Sequence, residues 1–285
     1  MLVEGRNLTK VFRKTIAVEN VHISVDRAET LALIGESGSG KTTLGKLLLY
    51  LIKPDTGEVI FKGHRLGDLK GEELRKMRRG MQMIPQHPED ALDPRWKIRR
   101  SLLEPSEIHG FEVDLRELLR LVGLREEHLE RYPHELSGGE LQRVVIARAI
   151  SMSPEFIVAD EPTSMLDVSV QASIIRLLME LQESRKVAYL FITHDMELAG
   201  AIADRVAVMF RGEIVEEGKD VLEEPLHPFS KLLVEGELPD VLVTTKNGCK
   251  FSVNCREKLE ICDQRKPITA NLGDRRVKCH LFAKF

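Results

Sequence analysis

The sequence predicts an α/β fold whose parallel strands end in loops that carry polar residues. Three observations lead to this prediction. The apolar run 31–34 is followed by a stretch that fits G-x-x-x-x-G-K-[ST] and then by helically spaced leucines. Two other short apolar runs, 156–159 and 188–193, are followed by Asp160 and by His194. With 285 residues, the chain is long enough to bury one large α/β core plus a small addition.

Residues 35–42 are predicted to form a phosphate-binding loop. Glycines let the backbone curl so that successive N–H groups point at phosphate oxygens, and the following helix adds the positive end of its dipole. Lys41 is expected to reach the β and γ phosphates, and the Thr42 hydroxyl to bind the Mg²⁺ ion that bridges them. The predicted nucleotide contacts are Gly35, Ser37, Gly38, Ser39, Gly40, Lys41, Thr42 and Thr43.

The segments on either side of this loop follow simple patterns. Residues 1–34 are predicted to be rich in β-strands, and Phe12 among them is either a core residue or an aromatic ring that stacks on adenine. The leucine pattern after Lys41 predicts a helix with Leu51 on its apolar face, ended by the Pro and Gly turn at 53–57.

The middle of the chain is predicted to be mainly helical. Residues 81–84 read as a strand that runs into an extended loop around Gln86. Residues 98–151 are rich in helical patterns, and within them Ser137 and Glu140 have the spacing of a capping box. The glycines 138 and 139 would therefore lie at a helix N-terminus, which is a second potential anion site.

The end of the chain has two features. Residues 205–210 are predicted to be a strand, and residues 216–218 the start of a surface connection. All four cysteines fall within the last 37 residues. In a reducing compartment, clustered cysteines bind metal more often than they form disulfides.

Charge and hydropathy exclude some classes of protein. The formal net charge of −3 gives no global basic field of the kind that a nucleic-acid-binding protein carries. No run of eighteen apolar residues occurs, and the N-terminus lacks the apolar core of a signal peptide. A soluble, cytoplasmic chain is therefore expected.

Taken together, the motifs resemble the ATPase subunit of ATP-binding cassette (ABC) transporters. The resemblance rests on the phosphate loop, the sequence Leu136-Ser137-Gly138-Gly139-Glu140, the acidic Asp160-Glu161, the turn ending at Asp167, and His194. It implies a P-loop NTPase fold with a RecA-like core, an antiparallel β subdomain and an inserted helical subdomain at about residues 86–155. The nucleotide-binding domain would span residues 1–235, followed by a small cysteine-cluster region at 236–285.

The same resemblance implies roles for individual residues. Two such domains would pair head to tail, so that Ser137, Gly138 and Gly139 of one close on the γ-phosphate bound by the other. The implied catalytic residues are Glu161, which handles the attacking water, His194, which contacts the γ-phosphate, and Gln86. The implied Mg²⁺ ligands are Thr42, Gln86 and Asp160, and the implied nucleotide contacts include Phe12 and Asp167.

The C-terminal region resembles that of oligopeptide and dipeptide importer ATPases. The spacing C-x5-C-x6-C-x16-C of Cys249, Cys255, Cys262 and Cys279 is similar to that subfamily, in which some members carry an iron–sulfur cluster. Four thiolates could hold [4Fe–4S] or a structural zinc ion, and we favour the cluster. Residues 240–285 carry ten Lys or Arg and five Asp or Glu, which would offset the negative charge of such a cluster.

Two functions remain open from the sequence. The first is an importer subunit at the cytoplasmic face of the membrane, which works with a second ATPase subunit, two permease subunits and an extracytoplasmic solute-binding protein. The second is a soluble cassette ATPase that acts on DNA or ribosomes, suggested by the basic tail. Because the single ATPase domain and C-terminal cysteines differ from the known iron–sulfur type of that class, no nucleic-acid partner is expected.

Overall fold

The computed structural model describes residues 1–239, 243, 245 and 247–283. The strands in this part of the chain are β1 (Val3–Phe12), β2 (Thr15–Val25), β3 (Thr30–Ile34), β4 (Thr56–Phe61), β5 (His64–Arg65), β6 (Met81–Ile84), β7 (Phe156–Asp160), β8 (Ala188–Ile192), β9 (Arg205–Phe210), β10 (Glu213–Gly218), β11 (Thr269–Leu272) and β12 (Arg275–Lys278). The helices are α1 (Lys41–Leu48), α2 (Gly71–Arg79), α3 (Ile98–His109), α4 (Leu115–Leu121), α5 (Gly138–Ile150), α6 (Val168–Arg185), α7 (Met196–Ile202) and α8 (Pro228–Glu235).

The chain divides into two compact units, which we name by their main features. The helical unit consists of Met1–Val3, Val25–Glu29 and Phe61–Leu190. The phosphate-loop unit consists of Glu4–Ser24, Thr30–Ile60 and Phe191–Phe285.

The phosphate-loop unit contains a mixed sheet. Strand β3 pairs in parallel with β9, and β10, β12 and β11 follow in that order by antiparallel pairing. All five residues of β3 are buried, as expected for a parallel strand that is covered on both faces. In a second, smaller sheet β1 lies between β2 and β4. The predictions of β-rich residues 1–34 and of a strand at 205–210 are confirmed.

The end of helix α1 corrects one prediction from the leucine pattern. The helix ends at Leu48, and Tyr50 then adopts the left-handed conformation with φ 52°. This conformation interrupts the helical path, so Leu51 lies outside the helix with 52% of its surface exposed. The expectation that Leu51 shares the apolar face of the helix was therefore wrong.

Strand β10 corrects a second prediction. Residues 216–218 were expected to start a surface connection, but they belong to β10, and Glu216 and Glu217 are 0% and 1% exposed. Arginines compensate the two buried carboxylates. Arg275 Nη2 donates to Glu216 Oε1 at 2.5 Å, Arg205 Nη1 donates to Glu217 Oε1 at 2.8 Å, and Arg276 also donates to Glu217. Buried carboxylates are tolerated when they are paired in this way, and two of these partners come from β12, far away in sequence.

An aromatic cluster joins the C-terminal residues to the core of the phosphate-loop unit. Phe251 is 1% exposed, and its ring centroid lies 5.5 Å from those of both Phe210 and Phe229. Cys249 and Cys255 pack against the same cluster. The cysteine-bearing segment therefore has apolar contacts with residues of β9 and α8.

The helical unit contains β6, β7 and the first three residues of β8, and β7 lies between β6 and β8. Strands β6 and β7 are parallel, and Ile84 is paired with Ala159. Both strands therefore end at the same edge, as expected from the polar residues that follow them. The predicted strands at 81–84 and 156–159 and the helices within 98–151 are confirmed.

His227 gives a prediction for the pH dependence of stability. It is 1% exposed, and burial, assisted by the charge of Lys231, lowers its pKa to about 3. Its Nδ1 accepts a hydrogen bond from the Phe229 N–H, so the folded protein keeps the ring neutral. The unfolded chain binds a proton there below pH 6.5, so this contribution to stability is complete above pH 6.5 and declines as the pH falls toward 3.

We expect the free energy of unfolding to fall by about 1.4 kcal/mol per pH unit from this group between pH 6 and pH 4. The measurement is urea unfolding across that range for the wild type and for His227→Asn, which keeps a side-chain acceptor but does not titrate. Equal pH slopes for the two proteins would contradict the assignment.

Candidate functional site

The phosphate loop connects β3 to α1 in the phosphate-loop unit. Three of its glycines have positive φ: 145° at Gly35, 74° at Gly38 and 110° at Gly40, which is the N-cap of α1. These angles curl the chain so that the N-terminus of α1 opens toward the loop. The loop predicted from the sequence motif is therefore present with the backbone conformation that a phosphate cradle needs.

Two of the glycines are also required by close packing. A Cβ atom at Gly35 would lie 2.2 Å from the carbonyl oxygen of Met209, and one at Gly40 would lie 2.2 Å from that of Ala17. Both contacts are with backbone atoms, which cannot rotate away as a side chain would. The loop is thus held closely against β9 and β2, and its conformation is fixed before a ligand binds.

The side chains of the loop differ in exposure. Lys41 is 6% exposed, and its Nζ donates to the carbonyl oxygens of Gly35 and Glu36, each at 2.8 Å. Ser39 is 2% exposed, and within the described part of the chain its Oγ has no hydrogen-bond partner. Ser37 is exposed at the tip, and Thr42 and Thr43 are half-buried in the first turn of α1. The loop therefore presents a lysine ammonium and several hydroxyls together with its backbone N–H groups.

His194 and Phe12 also belong to the phosphate-loop unit. The Thr193 N–H donates to the carbonyl oxygen of Leu33 at 3.3 Å, so His194 follows a residue that is bonded to β3, the strand that leads into the phosphate loop. His194 is exposed. Phe12, at the end of β1, is 47% exposed, with Lys10 Nζ 5.6 Å from the ring centroid. This exposure excludes the core alternative for Phe12 and leaves a ring face accessible.

In the helical unit, β6 and β7 bring Gln86 and two acidic residues together. Asp160 is the last residue of β7 and is 4% exposed. Gln86 Nε2 donates to Glu161 Oε2 at 2.9 Å. Glu161 has a φ of 45°, a strained conformation for a residue with a side chain. Such strain occurs at functional sites, where the surrounding structure holds a side chain in one direction.

The capping box predicted at the start of α5 is confirmed. Ser137 Oγ accepts from the Glu140 N–H, and Glu140 Oε2 accepts from the Ser137 N–H at 2.9 Å. The hydrogen bond from the Ser137 N–H, followed by those from His128 and the Ser137 hydroxyl, lowers the Glu140 pKa to about 2. The carboxylate is therefore charged throughout the physiological range, and the exposed Ser137 is held in one orientation.

The glycines after Ser137 allow α5 to approach the start of α6. A Cβ atom at Gly139 would lie 2.5 Å from Val170 Cγ1, and one at Gly138 would lie 3.3 Å from Leu166 Cδ2. Asp167 is the exposed N-cap of α6. The two motifs, separated by about thirty residues in sequence, thus form one continuous surface of the helical unit.

The four cysteines lie near one another at the end of the phosphate-loop unit. The Cys249 N–H donates to the Cys262 carbonyl oxygen at 2.7 Å. Burial, and then the charges of the other three thiols, raise the pKa of Cys249 to about 11. Burial likewise raises the pKa of Cys279 to about 11, so both thiols are protonated at neutral pH in the absence of a cation.

In the ranges that the structure describes, no three or more His, Cys, Asp or Glu side chains are grouped so that they could hold a metal ion. Among the same residues, no helix combines the length and the apolar character needed to cross a membrane.

One element near the phosphate loop was missed by sequence reasoning. The turn between β9 and β10 contains Arg211 with φ 44° and Gly212 with φ 87°. The Gly212 N–H donates to the carbonyl oxygen of Ser39 at 2.8 Å. An Arg-Gly pair after an apolar strand signals a turn, but its contact with the loop depends on the pairing of β3 with β9.

The fold and these motifs define a nucleotide-binding cassette of the P-loop type. The family model described as ABC transporter matches residues 18–164. Together with the relatives described next, this match shows that the chain belongs to the ABC transporter family, as an ATPase.

Similar sequences extend beyond the matched region. The chain is 40% identical to the putative oligopeptide transport ATP-binding protein YkfD of Bacillus subtilis, covering 95% of this chain and 91% of that protein. It is 38% identical to a putative peptide import ATP-binding protein of Brucella abortus, covering 93% and 86%. It is 47% identical to the glutathione import ATP-binding protein GsiA of Salmonella typhimurium, covering 79% of this chain but 37% of that protein.

Solved structures agree with the fold. The dimeric structure of MJ0796, a bacterial ABC transporter cassette, superposes with a TM-score of 0.69 and 30% identity, covering 76% of this chain and 98% of that chain. Its post-hydrolysis state bound to ADP and Pi gives a TM-score of 0.68 and 31% identity, with the same coverage. The predicted P-loop NTPase fold of the ABC type is therefore confirmed.

Proposed function

We propose that this chain is the ATP-hydrolysing subunit of an ABC importer for di- or oligopeptides or a related solute. One observation carries the proposal: the similarity to a putative oligopeptide transport ATP-binding protein covers 95% of this chain, well beyond the region of the family match. The proposed nucleotide-binding domain spans residues 1–235, with a helical subdomain at about 86–155, and the proposed cysteine region spans 236–285.

The phosphate-loop unit supplies the residues that bind the nucleotide. Backbone N–H groups of the loop would bind phosphate oxygens, and Lys41 would exchange its bonds to Gly35 and Glu36 for bonds to the β and γ phosphates. Thr42 would bind Mg²⁺, which neutralises the charge that develops during phosphoryl transfer. The exposed ring of Phe12 would stack on adenine, and His194 would donate to the γ-phosphate.

The helical unit supplies the groups for hydrolysis. Asp160 would hold Mg²⁺ directly or through water, with Gln86 as a further ligand. Glu161 would accept a proton from the attacking water or orient it, because its carboxylate is held in one direction by Gln86 and by its own strained backbone.

A second ATPase subunit would complete each site. The surface formed by Ser137, Gly138, Gly139 and Asp167 would close on the γ-phosphate bound by the partner, since the N-terminus of α5 has partial positive charge. Loss of the γ-phosphate on hydrolysis would weaken this attraction and allow the two subunits to separate. The partner would be an identical or a homologous ATPase subunit.

The proposed assembly also contains two permease subunits and an extracytoplasmic solute-binding protein, with this chain at the cytoplasmic face of the membrane. Reconstitution with a permease of the oligopeptide type and its loaded binding protein tests the proposal. We expect the loaded binding protein to stimulate ATP hydrolysis several-fold above that of the isolated chain. Absence of both binding and stimulation would contradict the transport function.

The alternative, a cassette ATPase that acts on nucleic acid or ribosomes, is tested in the same preparation. Such a protein would bind DNA or RNA with an affinity that falls steeply with salt concentration. We expect no such binding at physiological salt, because the basic residues of the tail are largely paired. Lys250 and Lys266 bind Glu19, Arg275 binds Glu216, and Lys258 binds Asp263.

We propose further that the four cysteines are the ligands of a [4Fe–4S] cluster, with zinc as the alternative. Two features support this: the donor set is four thiols, and each of the other three raises the pKa of Cys249. A bound cation would displace the thiol protons and offset the repulsion among the thiolates. The four cysteine thiolates would then hold a cofactor made of iron and sulfide.

Purification under anaerobic conditions tests the cysteine proposal. We expect about four iron atoms and four acid-labile sulfides per chain and a broad visible absorbance band, with both lost in Cys255→Ser. One zinc ion per chain, without iron or sulfide, would show that the four cysteines bind zinc and not a cluster. A metal-free protein, with thiols that all react with a thiol reagent after unfolding, would reject both.

A further inference from the structure

The turn between β9 and β10 connects the phosphate loop to the neighbouring strands. The Gly212 N–H donates to Ser39 O, and the Gly212 carbonyl oxygen accepts from the Glu19 N–H, each at 2.8 Å. The same glycine therefore bonds on one side to the phosphate loop and on the other to β2. Any shift of the turn would move the Ser39 peptide group, which lies within the proposed phosphate cradle.

Met209, near the end of β9, leaves the loop little freedom. Besides its carbonyl contact with Gly35, Met209 has its Cε atom 2.8 Å from the position that a Cβ atom at Gly40 would occupy. Met209 and Gly212 therefore support the loop from Gly35 to Gly40, Met209 through its carbonyl oxygen and side chain and Gly212 through its N–H group. The orientation of the loop N–H groups depends on where these two residues lie.

Lys250, from the C-terminal part of the chain, holds the turn from its other side. Its Nζ donates to the Arg211 carbonyl oxygen at 2.6 Å and forms an ion pair with Glu19 Oε2 at 2.6 Å. The side chain is 15% exposed, and Glu213 Oε1 lies 3.7 Å from the same nitrogen. The ammonium group of Lys250 thus binds both the turn and β2, the same two parts of the chain that the Gly212 carbonyl oxygen connects.

The neighbours of Lys250 fix its position. Phe251 is packed against both Phe210 and Phe229, so the backbone at 250 cannot move without opening the aromatic cluster. Lys266 also pairs with Glu19, but its distance to Glu213 Oε1 is 4.0 Å and it makes no bond to Arg211 among those found in the described residues. Both lysines therefore pair with Glu19, but Lys250 alone of this pair reaches the turn.

We propose that Lys250 is a positioning residue for nucleotide binding, acting through the Arg211–Gly212 turn on the phosphate loop. The inference rests on the proposed ATPase function and assigns a role in it to the C-terminal region. Without the ammonium group, the Arg211 carbonyl oxygen loses a charge-assisted bond and the turn loosens from β2. The Ser39 peptide group then changes its orientation. The N–H groups of the adjacent loop residues move with it and no longer point at a phosphate.

The test compares Lys250→Met with Lys266→Met in the full-length chain. Methionine keeps most of the aliphatic stem and removes the charge, so packing against the core is retained. We expect Lys250→Met to weaken MgATP binding about tenfold, which corresponds to the loss of one hydrogen bond to a charged group. KM for ATP should rise by a similar factor while kcat at saturating ATP stays within twofold.

Two comparisons make the result specific. Lys250→Arg keeps a donor and should restore affinity to within about threefold, and Lys266→Met should stay within twofold although it also loses an ion pair to Glu19. Urea unfolding checks that both methionine variants fold. Hydrogen exchange should be faster in residues 36–43 of Lys250→Met only.

The inference is overturned if Lys250→Met and Lys266→Met bind MgATP equally well, or if affinity falls in proportion to stability in both. It is also overturned if kcat falls and KM does not change. If the wild-type chain itself binds no MgATP, the proposed function fails instead, so the two failures are distinguishable.

Discussion

Replacing Glu161 with glutamine is expected to reduce ATP hydrolysis by about 100- to 10,000-fold, the range for loss of a group that moves or orients a proton. ATP binding should stay within a few-fold of the wild type. The reason is geometric: Gln86 Nε2 donates to Glu161 Oε2 at 2.9 Å, and a glutamine oxygen can accept the same bond. The substitution therefore removes the charge and leaves the side chain in place.

The ATP that is not hydrolysed should hold two subunits together. Size-exclusion chromatography with MgATP is expected to show a dimer for Glu161→Gln and mainly monomer for the wild type. Glu155→Gln is a matched control. Glu155 lies just before β7, at the opposite end of the strand from Glu161, and pairs with Arg27 and Lys62. Near-normal turnover in Glu161→Gln would remove the proposed role.

Replacing Lys41 with alanine is expected to weaken MgATP binding by at least about 100-fold, because an ammonium that contacts two phosphates makes strong charge-assisted hydrogen bonds. The side chain is 6% exposed and already reaches across the loop to Gly35 and Glu36. Equilibrium titration with a fluorescent ATP analogue gives the affinity.

Lys46→Ala is the control for this substitution. Lys46 lies in the last turn of the same helix, so the same Lys-to-Ala change has a comparable effect on helix propensity. Its affinity for MgATP should match that of the wild type. Lys41→Met, which retains the stem, should behave as Lys41→Ala. Unchanged affinity in either Lys41 variant would contradict the assigned phosphate contact.

The sequence was most informative where structure is determined by neighbouring residues. The apolar runs that became β3, β6, β7 and β9, the glycine pattern of the phosphate loop and the cap at Ser137 were all predicted. Each depends on interactions within a few residues, such as backbone angles available to glycine or the hydrogen bonds of a capping box. The family resemblance added the order of the motifs, and the fold it implied is confirmed.

The sequence was misleading where charge depends on distant partners. Glu216 and Glu217 were expected in a surface connection because adjacent carboxylates followed by glycine are typical of exposed turns. They are buried in β10 because Arg275 and Arg276 return to them from the end of the chain. The prediction for Leu51 failed for a local reason, because Tyr50 adopts the left-handed conformation. A glycine at that position would have signalled this conformation in the sequence, but the residue is a tyrosine.

The sequence by itself determined that this protein has a phosphate loop, a capped helix that presents two glycines, and acidic residues at strand ends. The tertiary structure decided which side chains meet: Gln86 with Glu161, and Lys250 with the turn that supports Ser39. The physical reason is the range of the interactions. Backbone conformation follows from a few adjacent residues, but a hydrogen bond between residues far apart in sequence exists only after strand pairing brings them together.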